Sequence, residues 1–265
     1  MLILGFIACF IMGIVLGLMG GGGAILTVPI MVYLFQFSPT VATGYSLFVV
    51  GVTALIGATI YVRKGDVDFK VALWFAIPSM IGVNISRGLI VPAIPAVIVN
   101  FNAFVLTKDI LVMVTFATLM LAAAYSMIKK RQQQTPAVLS RSYQTFLIVF
   151  EGLFVGLIAG FVGAGGGFLI IPALVLLAGL SMRVAVGTSL MIIAFQSLLG
   201  FAGDVSRGAL IDWTFIATVA AVAAVGIVFG SSIARRFDEQ KLKITFVWFV
   251  LAMGAFILIE QIRHI

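Results

Sequence analysis

Residues that build catalytic centres are scarce in this chain. There is one cysteine, Cys9, and one histidine, His264, among 265 residues. A single cysteine excludes an internal disulfide and any multi-cysteine metal site. A lone histidine next to last leaves no histidine-based metal centre or acid–base catalyst. No carboxylate pair or nucleophile–base pair stands out, so neither an enzyme nor a bound cofactor or metal is expected. Charge is scarce too: Asp, Glu, Lys and Arg make up 9% of the chain, against about a quarter in a soluble globular domain. The net charge is +7, but the basic residues stand in short clusters between apolar runs. That is the pattern of membrane-protein loops and not of a basic face that tracks phosphates, so nucleic acid is not an expected partner.

What is abundant is apolar surface. Hydrophobic residues reach 63%, with a mean hydropathy of +1.26, which places the chain in a lipid bilayer with several spans. The apolar runs cover 2–18, 24–36, 41–62, 71–91 and 110–128, then 146–162, 167–179, 184–203, 213–234 and 243–262. Residues 2–18 have no basic flank and no convincing cleavage site, so they read as a retained span. The segment 92–107, broken by Pro92 and Pro95, reads as a surface or interfacial loop. Lys129-Lys130-Arg131 and the glutamines after it form the longest polar stretch. The chain therefore divides into a first transmembrane repeat over 1–128, a basic cytoplasmic linker over 129–145 and a second transmembrane repeat over 146–265.

Glycine is the other abundance, and its placement is not random. Gly20-Gly21-Gly22-Gly23, followed by Pro29, returns as Gly163-Ala164-Gly165-Gly166-Gly167 followed by Pro172. Sliding the first half by 143 residues superposes Ser38 on Ser181, Gly44 on Gly187, Ser46 on Ser189 and Gly57 on Gly200, with 17 identities in the 45 positions of 13–57. Shared Leu and Val come with composition; aligned Gly, Pro and Ser do not. The chain is an internal duplication.

The orientation of the repeats follows from length and charge. Residues 2–36 would span about 52 Å as one helix, too long for about 30 Å of hydrocarbon, so the glycines are expected to turn the chain back. Each repeat then crosses an odd number of times and the second is inverted. In this arrangement one side receives Arg63, Lys64, Lys70, Lys129, Lys130, Arg131, Arg141, Arg183, Arg235, Arg236, Lys241 and Lys243, and the other only Arg87, Lys108, Arg207 and Arg263. The cytoplasmic bias of Lys and Arg favours this division. A re-entrant pair of half-helices and a pair of tilted full crossings predict the same sidedness. The expected fold is an all-α polytopic membrane protein of two inverted repeats, each a glycine-broken hairpin plus three transmembrane helices.

Interrupted helices in inverted repeats are how secondary transporters build their sites. Half-helices starting near Ala24 and Phe168 would present unpaired N–H groups and positive dipole ends to a small anion. Consecutive glycines let the anion approach the backbone, whereas the spaced Gly13/Gly17 and Gly152/Gly156/Gly160 suit helix packing. The candidate binding residues are Gly20, Gly21, Gly22, Gly23, Gly163, Gly165, Gly166 and Gly167, with the hydroxyls of Thr43, Ser46, Thr188 and Ser189 and the aligned pair Thr53 and Gln196. Among ionisable groups near the spans, Glu151 and Arg87 are candidates for coupling or anion attraction, while Asp204 and Arg207 read as a solvated loop and Glu260 as a helix end.

The doubled signatures Gly-x-x-x-Gly-Leu-x-Gly-Gly-Gly-Gly at 13–23 and Gly-x-x-x-Gly-Phe-x-Gly-x-Gly-Gly-Gly at 156–167, each followed by proline, resemble those of the sulfite exporter TauE/SafE family of membrane permeases. Ala-x-Gly-Thr-Ser at 185–189 and Arg-Gly-x-x-x-Asp-Trp at 207–213 add to the resemblance, which runs over nearly the whole chain. It implies a multi-pass protein of a bacterial or archaeal cell (inner) membrane. It also implies export of small sulfur-containing anions, sulfite or organosulfonates, coupled to a proton or sodium gradient. A homodimer is compatible with the pattern. Alternatives are an uptake permease or a carrier of another small ion; from another class, a non-transporting membrane enzyme or scaffold.

Overall fold

The computed structural model describes residues 2–101, 104–129, 141–163, 165–176, 178–234 and 239–263. The centre of the basic linker, 130–140, and His264 lie outside the described residues.

Helix α1 (Leu2–Met19) runs into a 3₁₀ stretch, Gly20–Leu26, then a short α2 (Thr27–Pro29) and a π-helical turn, Ile30–Leu34. Helix α3 spans Pro39–Arg63 and α4 Phe69–Ile85, the latter extended by a π-turn at Ser86–Ile90 and a short α5 (Val91–Ala93). Helices α6 (Lys108–Lys129), α7 (Arg141–Val162), α8 (Gly167–Leu176), α9 (Met182–Ser206), α10 (Trp213–Ile233) and α11 (Glu239–Arg263) complete the order. Every apolar run read from the sequence is a helix or a broken helix. Among the described residues, five helices are long and apolar enough to cross a membrane: Leu2–Met19, Pro39–Arg63, Phe69–Ala93, Met182–Ser206 and Trp213–Ile233.

One segment departs from the all-helical expectation. The stretch read as a loop contains an antiparallel hairpin of β1 (Val97–Phe101) and β2 (Phe104–Thr107), with Asn100 opposite Val105 and Phe101 opposite Phe104. Pro95 stops the helix ahead of it, and the β-branched run Val97-Ile98-Val99 then favours extended backbone.

The duplication is legible in the helix ends. Positive φ recurs 143 residues apart at Gly20 (61°) and Gly163 (76°), at Gln36 (61°) and Gly179 (67°), and at Gly65 (74°) and Gly208 (83°). Ser38 precedes α3 as Ser181 precedes α9, and the side chains of Asp68 and Asp212 cap α4 and α10. Even the turn bonds match: Phe37 N to Met31 O at 3.0 Å has its counterpart in Leu180 N to Leu174 O at 3.1 Å.

Packing exchanges partners between the halves, as two related copies around an axis would. Helix α1 lies on α10 and, equivalently, α7 on α4; α3 lies on its own counterpart α9, and α6 on α11. Small residues make the close contacts. A Cβ on Gly13 or Gly17 would overlap backbone near Ala223 and Ile227, and one on Gly156 or Gly160 would overlap backbone at Ser79 and Val83. In lipid, where burial gives helices little reason to associate, such close backbone packing is what holds them together. The same contacts set directions. Rising numbers in α1 meet rising numbers in α10, and likewise for α7 and α4, so these pairs are parallel. Gly44 faces Asp204, Gly51 faces Leu198 and Gly57 faces Leu190, so α3 and α9 are antiparallel. Residues of both halves, among them Leu16, Val50, Ile170, Leu190 and Ile193, share one core, while Ile3, Trp74, Leu89, Val225 and Trp248 point outward as lipid contacts do.

Candidate functional site

The two glycine clusters meet at the centre of this packing. After α1, Gly20 takes a left-handed φ and the chain reverses; Gly23 lies on the backbone of Leu16 and, further on, the Phe35 ring stands against Gly5. The chain has therefore returned along α1 as a hairpin. In the second half Gly163, Gly165 and Gly166 all have positive φ (76°, 63° and 60°), and Gly166 faces Ala159 and Val155 of α7. The clusters touch at Gly21 and Gly167, where a Cβ on either would overlap the other's backbone. Glycine is required here for close approach of two main chains.

The structure changes one expectation about helix starts. Helix α8 begins at Gly167, next to the expected start near Phe168, and its first-turn N–H groups lie beside the crossing. No half-helix begins at Ala24: the 3₁₀ stretch, including Gly22, already starts at Gly20. Glycine, with no Cβ, accepts many backbones, and 3₁₀ winding is common at helix ends, so the break is absorbed here as a 3₁₀ stretch instead of an open turn.

Side chains from α3, α4 and α9 line the crossing. Ser46 Oγ donates to Gly163 O, and Ser189 Oγ accepts from Gly21 N at 3.4 Å while donating to Val186 O at 2.8 Å. Each of these equivalent serines thus reaches the opposite repeat's cluster. Gln196 Nε2 donates to Gly165 O, and Ser79 Oγ donates to Gln196 Oε1. Next to Gln196, Ser197 is fully buried, its Oγ without a hydrogen-bond partner and 3.0 Å from where a Cβ on Gly165 would sit. A buried hydroxyl left unpaired costs free energy unless something fills its bond.

At one end of the helices a charged group adjoins the crossing. Arg87, 8% exposed, donates through Nε to Asp204 Oδ2 at 2.6 Å and through Nη1 to Gly160 O at 3.2 Å and Thr43 Oγ1 at 3.5 Å. Asp204 also accepts from Arg207 Nη2 at 2.9 Å. Asp204 is therefore not the solvated loop residue read from the sequence: α9 continues to Ser206 and carries it against Arg87.

The structure brings Gly20, Gly21, Gly163, Gly165, Gly166, Gly167, Ser46, Ser189 and Gln196 together, with Thr43 beside Gly163. Other candidates point elsewhere. Thr53 bonds its own helix at Val49 O (2.6 Å), and Thr188 accepts from Asp68 N at 3.0 Å, at the end of α9 away from Arg87. Glu151 lies half-buried on α7, about 18 Å of helix before Gly163. Ser79, Ser197 and Asp204 were missed. Ser197 could have been suspected beside Gln196 in an apolar span; Ser79 and Asp204 matter only through partners on other helices, which no local pattern displays. Among the described residues no three His, Cys, Asp or Glu side chains converge as a metal site.

Comparison with known proteins finds a family and several relatives over nearly the whole chain. The sulfite exporter TauE/SafE family matches residues 5–257. The chain is 28% identical to "Probable membrane transporter protein YunE" of Bacillus subtilis, over 97% of this chain and 98% of that one. It is 28% identical to a "Probable membrane transporter protein" of Xylella fastidiosa (94% and 91%) and 24% identical to one of Methanocaldococcus jannaschii (94% and 92%). No solved structure matches the chain. The family and the transporter names of these bacterial and archaeal relatives make this chain a membrane transporter and not an enzyme, and its apolar helices fit a multi-pass cell-membrane protein. The chain belongs to the sulfite exporter TauE/SafE family.

Proposed function

We propose that this protein is a secondary transporter that exports a small sulfur-containing oxyanion, sulfite or an organosulfonate, through the glycine crossing, driven by a proton or sodium gradient. The observation that carries the reading is the crossing itself. Two helix breaks meet deep among the helices, ringed by the buried uncharged groups of Ser46, Ser79, Gln196 and Ser197, with the start of α8 beside them. N–H and O–H donors with a helix N-terminus favour negative charge, and glycine keeps side chains from blocking it. The sulfur cargo rests on the family's description alone.

Inverted repeats support alternating access around such a site. Parallel α1/α10 and α4/α7 with antiparallel α3/α9 are what results if equivalent helices cross in opposite senses. In that topology the termini and the Arg87 end are external and the basic linker is cytoplasmic. Cysteines placed at Phe37 and Leu180, equivalent positions after the two hairpins, should react with an impermeant maleimide from opposite sides of the membrane. Labelling of both from one side overturns the inversion.

The functional test is flux into proteoliposomes of labelled sulfite, sulfoacetate and taurine, with and without imposed proton and sodium gradients. Saturable, gradient-dependent flux of at least one is expected. No flux of any of the three overturns the cargo.

A further inference from the structure

The two ends of the molecule are built from equivalent positions but closed by different chemistry. At one end, Tyr61 donates to Gly17 O at 2.8 Å and Lys64 to Ser231 O at 2.6 Å. Their counterparts 143 residues on are Asp204, Gly160 and Arg207, and there a buried ion pair replaces the Tyr61–Gly17 bond. A buried ion pair is a poor device for merely holding helices together, since removing both charges from water costs much of what their attraction returns. Bonds from side chains to backbone carbonyls join the equivalent elements at the opposite end.

The geometry is that of an occupied anion seat. Nε and Nη2 of Arg87 both point at Asp204 Oδ2, at 2.6 and 2.5 Å, using the guanidinium edge that binds carboxylates and other oxyanions. The group carries two arginines against one carboxylate. Gly44 lies beneath: a Cβ there would come within 3.3 Å of Arg87 Nη2 and 3.6 Å of Asp204 Oδ2. From the seat, Arg87 Nη1 reaches Gly160 O and Thr43 Oγ1, and Thr43 packs on Gly163, whose carbonyl accepts from Ser46 at the crossing. At the other end Thr43's counterpart is Val186, which has no hydroxyl to offer.

We propose that Arg87 is a second anion-binding station at the mouth, separate from the glycine crossing, and that Asp204 is the resident carboxylate filling it when no cargo is present. Its ligand is a small oxyanion able to lay two oxygens on the guanidinium edge. When the anion arrives, Asp204 leaves Arg87 and stays on Arg207, so its charge keeps a partner throughout. Only the assignment of this station to a transport path rests on the proposed function; anion binding at Arg87 does not.

The test is thermal unfolding of the purified full-length protein with sodium sulfite, sulfate or chloride at matched ionic strength. Asp204→Asn, with the seat vacated, should be stabilised by sulfite or sulfate at about tenfold lower concentration than wild type, and Asp204→Asn with Arg87→Gln should lose that response. An Asp204→Asn protein no more responsive than wild type overturns the station. Arg207→Gln changes a partly exposed side chain and leaves the Arg87–Asp204 pair intact, so it keeps the test decisive if Asp204→Asn does not fold. With no second arginine to receive Asp204, its response should need about tenfold more anion than wild type; an unchanged response overturns the exchange. Absence of sulfite flux from wild type counts against the transport reading, while the unfolding series decides the station by itself.

Discussion

Gly20–Gly23 and Gly163–Gly167 descend from one sequence and occupy equivalent places, yet they are not equivalent structures. The first cluster has one positive-φ residue, Gly20, and is wound into a 3₁₀ stretch; the second has three among its described residues and forms a turn at Gly165 and Gly166 before α8. Their surroundings diverge in the same direction. Beside the second stand Gln196, Ser79 and Ser197; the counterparts of the adjacent α9 pair are Thr53, satisfied within its own helix, and Ala54. Duplication supplied the crossing geometry to both halves, and divergence gave the polar chemistry to one. Under the proposed function, a duplicated scaffold with its polar groups on one side would let the halves move as equivalents while the second holds most of the cargo contacts.

The largest effect should come from breaking the geometry the halves share. Gly163→Val places a β-branched side chain at φ 76° and drives its Cβ into the backbone of Thr43. The left-handed conformation alone costs about 1–2 kcal/mol, and the overlap about 1–3 more. Loss of folded protein in fluorescence-detected size exclusion is expected. Gly208→Ala also has a positive φ, 83°, but nothing within 4 Å of its Cβ, so it should stay folded and lose only about 1 kcal/mol. Equal damage from both would mean that backbone strain, not the crossing, decides stability.

The next effect separates the halves. Gln196→Ala leaves Gly165 O and the Ser79 hydroxyl without their partner, a penalty of about 1–3 kcal/mol for each buried group. Because these bonds hold the shape of the crossing, flux should fall at least about tenfold, equivalent to about 1.4 kcal/mol in the transport barrier. Thr53→Val removes a hydroxyl that bonds only its own helix and should leave flux within about twofold. Comparable losses would restore a symmetric site.

Ser197→Ala sharpens the comparison further. If the hydroxyl binds nothing, its removal should raise stability by about 1 kcal/mol with transport unchanged. If it holds cargo, the half-saturation concentration should rise severalfold while the melting temperature holds or climbs. Ala54→Ser, the reciprocal change, should affect neither affinity nor rate.

How much of this was legible beforehand depends on the range of the interaction. The helices were readable because hydrophobic length is a local property, and the duplication because Gly, Pro and Ser at fixed spacing are improbable by chance. The hairpin was readable from length and loop charge, since residues 2–36 exceed one crossing. The winding of Gly20–Leu26 was hidden because four glycines tolerate many backbones, and contact with Gly167 is among the constraints that select one. Asp204 was misread because a carboxylate near a span end looks solvated until α4 delivers Arg87 to it. Val97–Val99 was passed over as loop because proline on one side obscured a short β-branched run.

The smallest predicted effect tests a bond that both halves preserve with different side chains. Tyr45 Oη accepts from Asp212 N at 3.0 Å, and its counterpart Thr188 Oγ1 accepts from Asp68 N at 3.0 Å. Each ties the cap of one repeat's fourth long segment to the central helix of the other. Tyr45→Phe and Thr188→Val should each cost about 1 kcal/mol, the typical net worth of such a bond. The sites lie at opposite ends of the antiparallel α3/α9 pair, so the double variant should show the sum to within about 0.5 kcal/mol. Flux should be the same for both at a temperature where they remain folded. A selective rise in half-saturation for Thr188→Val would instead make Thr188 a cargo ligand, extending the polar site toward the end of the molecule where Val186 stands in place of Thr43.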